Sequence, residues 1–328
     1  EFGLTVYNEE YIGLRSYVRG YLALHSNKPL TDWQRAVGYL ALAFFYGHKC
    51  IPCQFFSLLF GKKDTEIVSA CDVLTHRGKQ FVLEDTHKCT WRITHHAVAK
   101  EILEQILTEG SPSNGEGNEL SNRARRNLKE FAKAFLSYAS KRLEHSKLDY
   151  SSSVMRTLRV IFIHRDYKEI GQDQYRRELL SRLMCDIQDT DKEKLNLMEH
   201  LVKCFPKDPT FVFHLGRACN IYTREFEKSL ALLNRAKELR QLEIKACAEK
   251  YFQSDTTNQG QIVQDAILCT IYHNIGFLHH DQIKSLIGGG KLPKDRKQYN
   301  GKPDEQNLFK EVCKHAKSAI HNFSTCRQ

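Results

Sequence analysis

The chain has little that would commit it to a membrane, an oxidising compartment or catalysis. No apolar run approaches the ~20 residues that a bilayer-spanning helix needs, so no membrane association is expected. The opening EFGLTVYNEEY lacks the basic, apolar, small-residue layout of a secretory signal and reads as the start of an excised piece of a longer chain. Eleven cysteines, an odd number, follow no regular framework. Reduced thiols in a cytosolic or nuclear setting fit them better than a disulfide scaffold, and a cytoplasmic location is expected.

Catalytic signatures are missing as well. Residues 288–291 read GGGK, but they follow a helical pattern and no Ser or Thr comes after the Lys, so a phosphate-cradling loop is not expected. His48-x-Cys50-x2-Cys53 gathers three soft ligands, with Cys71 or Cys89 as a possible fourth. A lone CxxC without a spaced second pair fits core cysteines at a helix start better than zinc. His95-His96 and His279-His280 have no HExxH partner and read as helix-start and helix-face residues. No GxSxG, Cys-His nucleophile signature or spaced carboxylate pair occurs, so no enzymatic role and no cofactor of the chain's own is expected.

What is present is a soluble, globular composition, 41% hydrophobic and 27% charged over 328 residues, long enough for two or three domains. Residues 109–122, EGSPSNGEGNELSN, hold one Leu and otherwise no large apolar side chain. They read as a linker between a front domain, 1–108, and a back domain, 123–328.

In the front domain, helical spacing runs over 9–24, with Asn8 as N-cap, and over a strongly apolar 33–46 capped by Asp32. Shorter helices are expected at 51–59 and 65–75. Two β-like runs, 80–83 and 90–94, then form a hairpin before a helix at 97–107. This is a winged-helix-like order, with Trp91 and Ile93 pinning the wing to the helices. A DNA-reading unit would carry basic residues on 65–75, which instead holds Glu66 and Asp72, so a structural or regulatory role is expected.

The back domain reads as helix throughout, over 122–145, 153–164, 173–187, 191–204, 211–222, 226–247, 262–286 and 306–323, with an exposed polar loop at 291–304. Serial helices of this kind stack as a solenoid. The clearest repeat-like stretch is 206–240, PKDPTFVFHLGRACNIYTREFEKSLALLNRAKELR. Leu215 and Gly216 would allow close helix approach, Phe226 would open the second helix, and Ser229 and Ala236 would line its inner face, as in a tetratricopeptide unit. The turn carries one extra residue and Cys219 stands where the pattern prefers Tyr, so an ordinary helical hairpin remains the alternative. The fold class expected is mainly α: a winged-helix-like unit with a small β-hairpin, then a tetratricopeptide-like α-solenoid.

The formal charge of +10 is uneven: residues 121–182 hold 15 Lys or Arg against 7 Asp or Glu, a local +8. Arg156 and Arg159 are expected on the outward side of one helix and Arg176, Arg177 and Arg182 on the next, forming a basic face that could take RNA, DNA or an acidic partner. Arginines on outer helix faces are otherwise simply solvated.

FGLTVYNEEYIGLRSYVRGYL at 2–22, WRITHHAVAKEILEQIL at 91–107 and CFPKDPTFVFHLGRACNIYTREFEKSLALLNRAKEL at 204–239 together resemble the middle-to-C-terminal part of the sterile alpha motif domain-containing protein 9 and 9-like family. The resemblance implies a large cytosolic innate-immune ATPase of the signal-transducing kind, which oligomerises on activation and shuts down translation and poxvirus replication. This chain would be a non-catalytic regulatory piece of it, binding protein partners or itself. The family's nucleotide-binding core and effector domains lie outside it, so no catalytic residue carries over. Trp91, Ile93, His95 and His96 would lie on the lid of the nucleotide-binding module, and Leu215, Gly216, Phe226 and Ala236 in a repeat. Because a winged-helix His can contact the nucleotide diphosphate in related ATPases, the resemblance also implies His95 and His96 as cofactor contacts.

Overall fold

Helix dominates the computed structural model, which describes residues 13–24, 28–63, 66–74, 76–109, 119–144, 150–164, 167–171, 174–177, 180–188, 190–254, 266–286 and 303–325. The chain divides into two compact units, Glu1–Thr190 and Asp191–Gln328.

The first unit is organised around one apolar helix. Helix α1, Leu14–Leu22, buries Val18 and Leu22. Helix α2, Asp32–Gly47, starts with a reciprocal cap in which Thr31 N donates to Gln34 Oε1 across 2.8 Å. The Gln34 amide in turn donates to the Leu22 carbonyl at the end of α1, also across 2.8 Å. From Ala36 to Tyr46 every residue of α2 except Phe44 is buried. A Cβ on Gly38 would lie 2.8 Å from Ile106 and 2.9 Å from Phe131, so the absence of a side chain there sets how closely two further helices approach α2.

Strand β1, Ile51–Pro52, leads into a 3-10 segment, Cys53–Phe60, where an α-helix was expected. Its Cys53, Phe55 and Phe56 are buried, and Gly61 ends it in the left-handed region at φ 68°. The helix expected over 65–75 is reduced to α3, Ala70–Val73, followed by α4, His76–Lys79; residues 64, 65 and 75 lie outside the described residues. Strands β2, Val82–Asp85, and β3, Thr90–Ile93, pair antiparallel, with Val82 opposite Ile93. β1 adds to the other side of β3, Ile51 opposite Trp91, giving the order β1-β3-β2. Trp91 is fully buried, stacks on Phe56 at 5.5 Å and donates through Nε1 to Glu84.

Helix α5, His96–Leu107, packs on α2, and α6, Asn122–Glu144, packs on α5. The first unit therefore runs past the 109–122 segment that the sequence suggests as a linker. Aromatic contacts of Tyr39 with Phe131, Phe135 and Tyr138 place α6 against the central helix. Across that segment, of which 110–118 lie outside the described residues, Glu104 accepts hydrogen bonds from both the main chain and the hydroxyl of Ser121. The Asn127 amide also donates to the Leu107 carbonyl. Helix α7 follows at Ser151–Phe162.

The helix expected over 173–187 is not formed. Strands β4, Tyr167–Gly171, and β5, Gln174–Arg177, pair as a two-stranded ribbon, and among the described residues of that span only α8, Arg182–Asp186, is helical, capped by the Ser181 hydroxyl. Tyr and Ile favour strands and Gly171 favours a turn, which here prevails over the helical spacing of the apolar positions.

The second unit is a series of helices, each packed on the next. They are α9, Asp191–Cys204; α10, Pro209–Ala218; α11, Phe226–Ser254; α12, Ala266–Leu286; and α13, Pro303–Thr325. Asp208 caps α10 by accepting from Phe211 N across 3.0 Å, with Pro209 in the first turn, where no N–H is needed. A Cβ on Gly216 would lie 3.1 Å from Leu233 and 3.2 Å from Leu232, and the Ser229 hydroxyl donates to the Gly216 carbonyl across 2.7 Å. Ser229, Leu233 and Ala236 are buried along this seam. The extra residue noticed in the turn is taken up by a π-helical turn, Cys219–Thr223, closed by Arg224 at φ 53°. Residues 287–302, with the GGGK run and nearly all of the expected polar loop, lie outside the described residues, as do Asn8 and residues 9–12 of the first expected helix.

Candidate functional site

The C-terminal end of α2 and the N-terminal end of α5 meet at a layered group of rings and cations. The helix α2 sequence ends Phe44-Phe45-Tyr46-Gly47, and His48 closes it in the left-handed region at φ 48°. His95 caps α5 by accepting from Ala97 N through Nδ1 across 3.2 Å, and it is exposed. His96, the first residue of α5, points the other way. Its ring stacks between Phe45, at 4.7 Å, and His48, at 5.2 Å.

Two arginines bracket these rings. The Arg182 guanidinium lies 4.6 Å from the Phe45 centroid and 5.9 Å from that of Tyr46, while Arg92 lies 5.6 Å from that of Phe44. Phe44 meets the edge of His48 at 5.6 Å, so the order Arg92, Phe44, His48, His96, Phe45, Arg182 is continuous. Beyond Arg182, the Tyr46 hydroxyl donates to Asp186 across 2.9 Å, and Arg125 stands 3.8 Å from the same carboxylate.

Charge and tautomer at His96 follow from this packing. Its Nε2 is 3.3 Å from the Phe45 carbonyl, which can only accept, so the proton of the neutral ring sits on Nε2 and Nδ1 is left as the acceptor. Burial holds the imidazole pKa below its ordinary 6.5, and Arg182, His48 and His95 oppose a further positive charge, against a smaller upward pull from the carbonyl. Burial also raises Asp186 and Tyr46, so the pair beside Arg182 resists ionisation more than its exposed counterparts would.

Phe45 and Tyr46 are buried, so what the ladder presents to solvent is the His48 ring with the half-buried Phe44, His96 and two guanidinium groups, chemistry suited to carboxylates, phosphates or planar groups. Among the described residues no group of three His, Cys, Asp or Glu side chains could hold a metal ion. Cys53 and Cys219 are buried, and burial raises the pKa of both thiols, which leaves them poor nucleophiles. No helix among the described residues is long and apolar enough to cross a membrane.

The expected basic face is distributed differently. Arg156 is exposed and Arg159 half-buried on α7, while Arg176 and Arg177 lie on β5, not on a helix. Arg182 opens α8 and covers Phe45 instead of extending a solvated face. The five arginines thus sit on three elements, and Arg182 joins His96. Sequence reasoning did not single out Phe45 or Arg92 and weighed His48 only as a soft metal ligand beside Cys50 and Cys53; the aromatic triplet 44–46 just before a glycine was the available signal. It also counted Arg142 among the basic residues of 121–182, although this side chain is 1% exposed.

No protein-family model, curated protein or solved structure matches the chain.

Proposed function

We propose that the chain is a non-catalytic regulatory and interaction piece of a cytosolic, innate-immune signal-transducing ATPase of the sterile alpha motif domain-containing protein 9 and 9-like kind. It would contribute to autoinhibition, oligomerisation or partner binding. The ring-and-cation ladder around His96 carries this reading: it presents recognition chemistry without a nucleophile, base and acid arranged to act together. In this reading the β1-β3-β2 sheet with its flanking helices is the winged-helix unit, exposed His95 faces the nucleotide-binding core of the whole protein, and His96 contributes to that cofactor contact from the ladder behind it. The second unit is the tetratricopeptide-like region, supported by the Gly216 approach and the Ser229 bond.

The test is release of bound ADP from the full-length ATPase. His95→Ala and His96→Ala should each accelerate it, together with Arg182→Ala, which removes a neighbouring cation. Unchanged release in all three would remove the ladder from the nucleotide's surroundings.

One observation favours a second reading, a module that binds RNA or DNA. The backbone register of the β4–β5 ribbon pairs Lys168 with Arg176, next to Arg177, which gathers three basic residues of the expected basic region in one short ribbon. Binding to labelled single- and double-stranded nucleic acid should then weaken steeply with salt and be lost in Arg176→Glu with Arg177→Glu. Absence of salt-sensitive binding by the unaltered protein would leave the protein-interaction reading alone.

A further inference from the structure

The second unit contains a histidine pair that the ladder does not explain. His279 on α12 and His315 on α13 approach Nδ1 to Nδ1 at 2.9 Å, with ring centroids 5.1 Å apart. Phe226, the first residue of α11, places its ring against both, at 5.7 and 5.2 Å. Three helices therefore meet at one contact, and His279 is only 8% exposed. Nearby, Gly276 of α12 leaves room for Phe323 of α13, whose ring a Cβ would meet at 2.7 Å. The two helices thus approach closely where the histidines join.

Two imidazole Nδ1 atoms at this distance hold each other only when one carries a proton and the other a lone pair. A neutral pair satisfies this, and so does a pair with one extra proton. When both rings are charged, each Nδ1 carries a proton, and the contact becomes two donors and two positive charges facing each other.

We propose that the His279–His315 pair is an acid-sensitive latch, closed at neutral pH and opened by double protonation, that holds α12 and α13 together beneath Phe226.

Among the described residues no carboxylate bears on the charge of His279, and Glu311, one turn before His315 on α13, is exposed to solvent. The groups that oppose a charge on His279 are His315 and Lys314, both on α13. On its own helix, His280 lies 4.0 Å from Asp281 and that carboxylate is half exposed, while α11 presents the uncharged ring of Phe226. The nearest ion pairs at the start of α11 are already formed: Lys228 with Glu199 and Glu225. Burial, then the two cations, keeps the His279 pKa below the ordinary 6.5. The separated state takes up the proton first, so the latch is at full strength above pH 6.5 and weakens as pH falls below it.

Hydrogen exchange of the whole chain, corrected for intrinsic rates, reads this directly. Below pH 6.5, opening of 266–286 and 303–325 should rise by roughly tenfold per pH unit, the slope expected when the open state binds one more proton. His279→Asn places an amide where Nδ1 stood, still able to donate to His315 but unable to charge, and should flatten that dependence; His315→Asn should do the same. If the Asn proteins retain the slope, or if the unaltered chain shows none, the latch is wrong. Titration of the His279 Cε1 proton by NMR in the unaltered chain gives a reading that does not depend on any variant folding. It should titrate below 6.5, and titration at or above that ordinary value would overturn the proposal.

Discussion

The Arg142 guanidinium donates through Nε to the main-chain carbonyl of Phe55 across 2.9 Å, joining α6 to the 3-10 segment eighty-seven residues earlier in the chain. The same side chain reaches the Gln54 carbonyl at 2.7 Å, the Ser57 hydroxyl at 3.1 Å and the Tyr150 hydroxyl at 2.6 Å. Its charge is thus met by oxygen dipoles held by the fold.

Arg142→Leu should therefore cost the first unit about 3 kcal/mol, because several buried acceptors lose their donor at once. Urea unfolding followed by tryptophan fluorescence measures this, since Trp33 and Trp91 both lie in that unit. Arg142→Lys should restore only a part, as an ammonium cannot reproduce the planar fork. Equal stability for all three proteins would remove the clamp.

Gly216→Leu should destabilise the second unit by about 1–3 kcal/mol through overpacking against Leu232 and Leu233. Gly216→Ala should cost less, since the nearest atom it would meet is the movable end of the Leu233 side chain. Ser229→Ala removes the buried bond to the Gly216 carbonyl and should cost about 1 kcal/mol. Helical circular dichroism with denaturant reports all three.

Arg182→Ala should shift the His96 titration upward, towards 6.5, because it removes a cation that opposes the imidazolium. His96 is depressed in the folded state, so its contribution to stability is complete above pH 6.5 and is lost as pH falls; the variant should show a smaller loss on acidification. Two-dimensional NMR of the imidazole ring checks the direction. A downward shift, or none, would separate the two residues electrostatically.

Trp91→Phe should cost about 1–3 kcal/mol, combining the cavity left by the larger ring with loss of the Glu84 bond. The variant's own tryptophan emission would come from Trp33 alone, and its difference from the parent would isolate the Trp91 signal. A stability equal to that of the parent would mean that the sheet is held elsewhere.

Much of the architecture was legible where one periodicity dominates. The central helix, the 90–94 strand, the α5 boundary and the Gly216 seam follow from apolar spacing and small residues, whereas the central helix is capped by Thr31 and not by the expected Asp32, which is its first residue. The ribbon at 167–177 was not legible, because Tyr167, Ile170 and Tyr175 fit either period and a single Gly decided it. β1 is two residues long and carries Pro52, so no sequence window of ordinary length could detect it. The site was half visible: His95 and His96 could be singled out by adjacency, but the arrival of Arg182 beside them depends on tertiary folding eighty-six residues later.

The hydrogen bonds from Ser121 to Glu104, with Asn127 on the Leu107 carbonyl, bring the two ends of the 109–122 segment into register through side chains. Covalent continuity between them then chiefly raises the local concentration of each end for the other. A protein supplied as two separate polypeptides, broken between Ser113 and Asn114, should assemble into a first unit with the same spectroscopic signature. Its stability would then depend on protein concentration, as that of a heterodimer does.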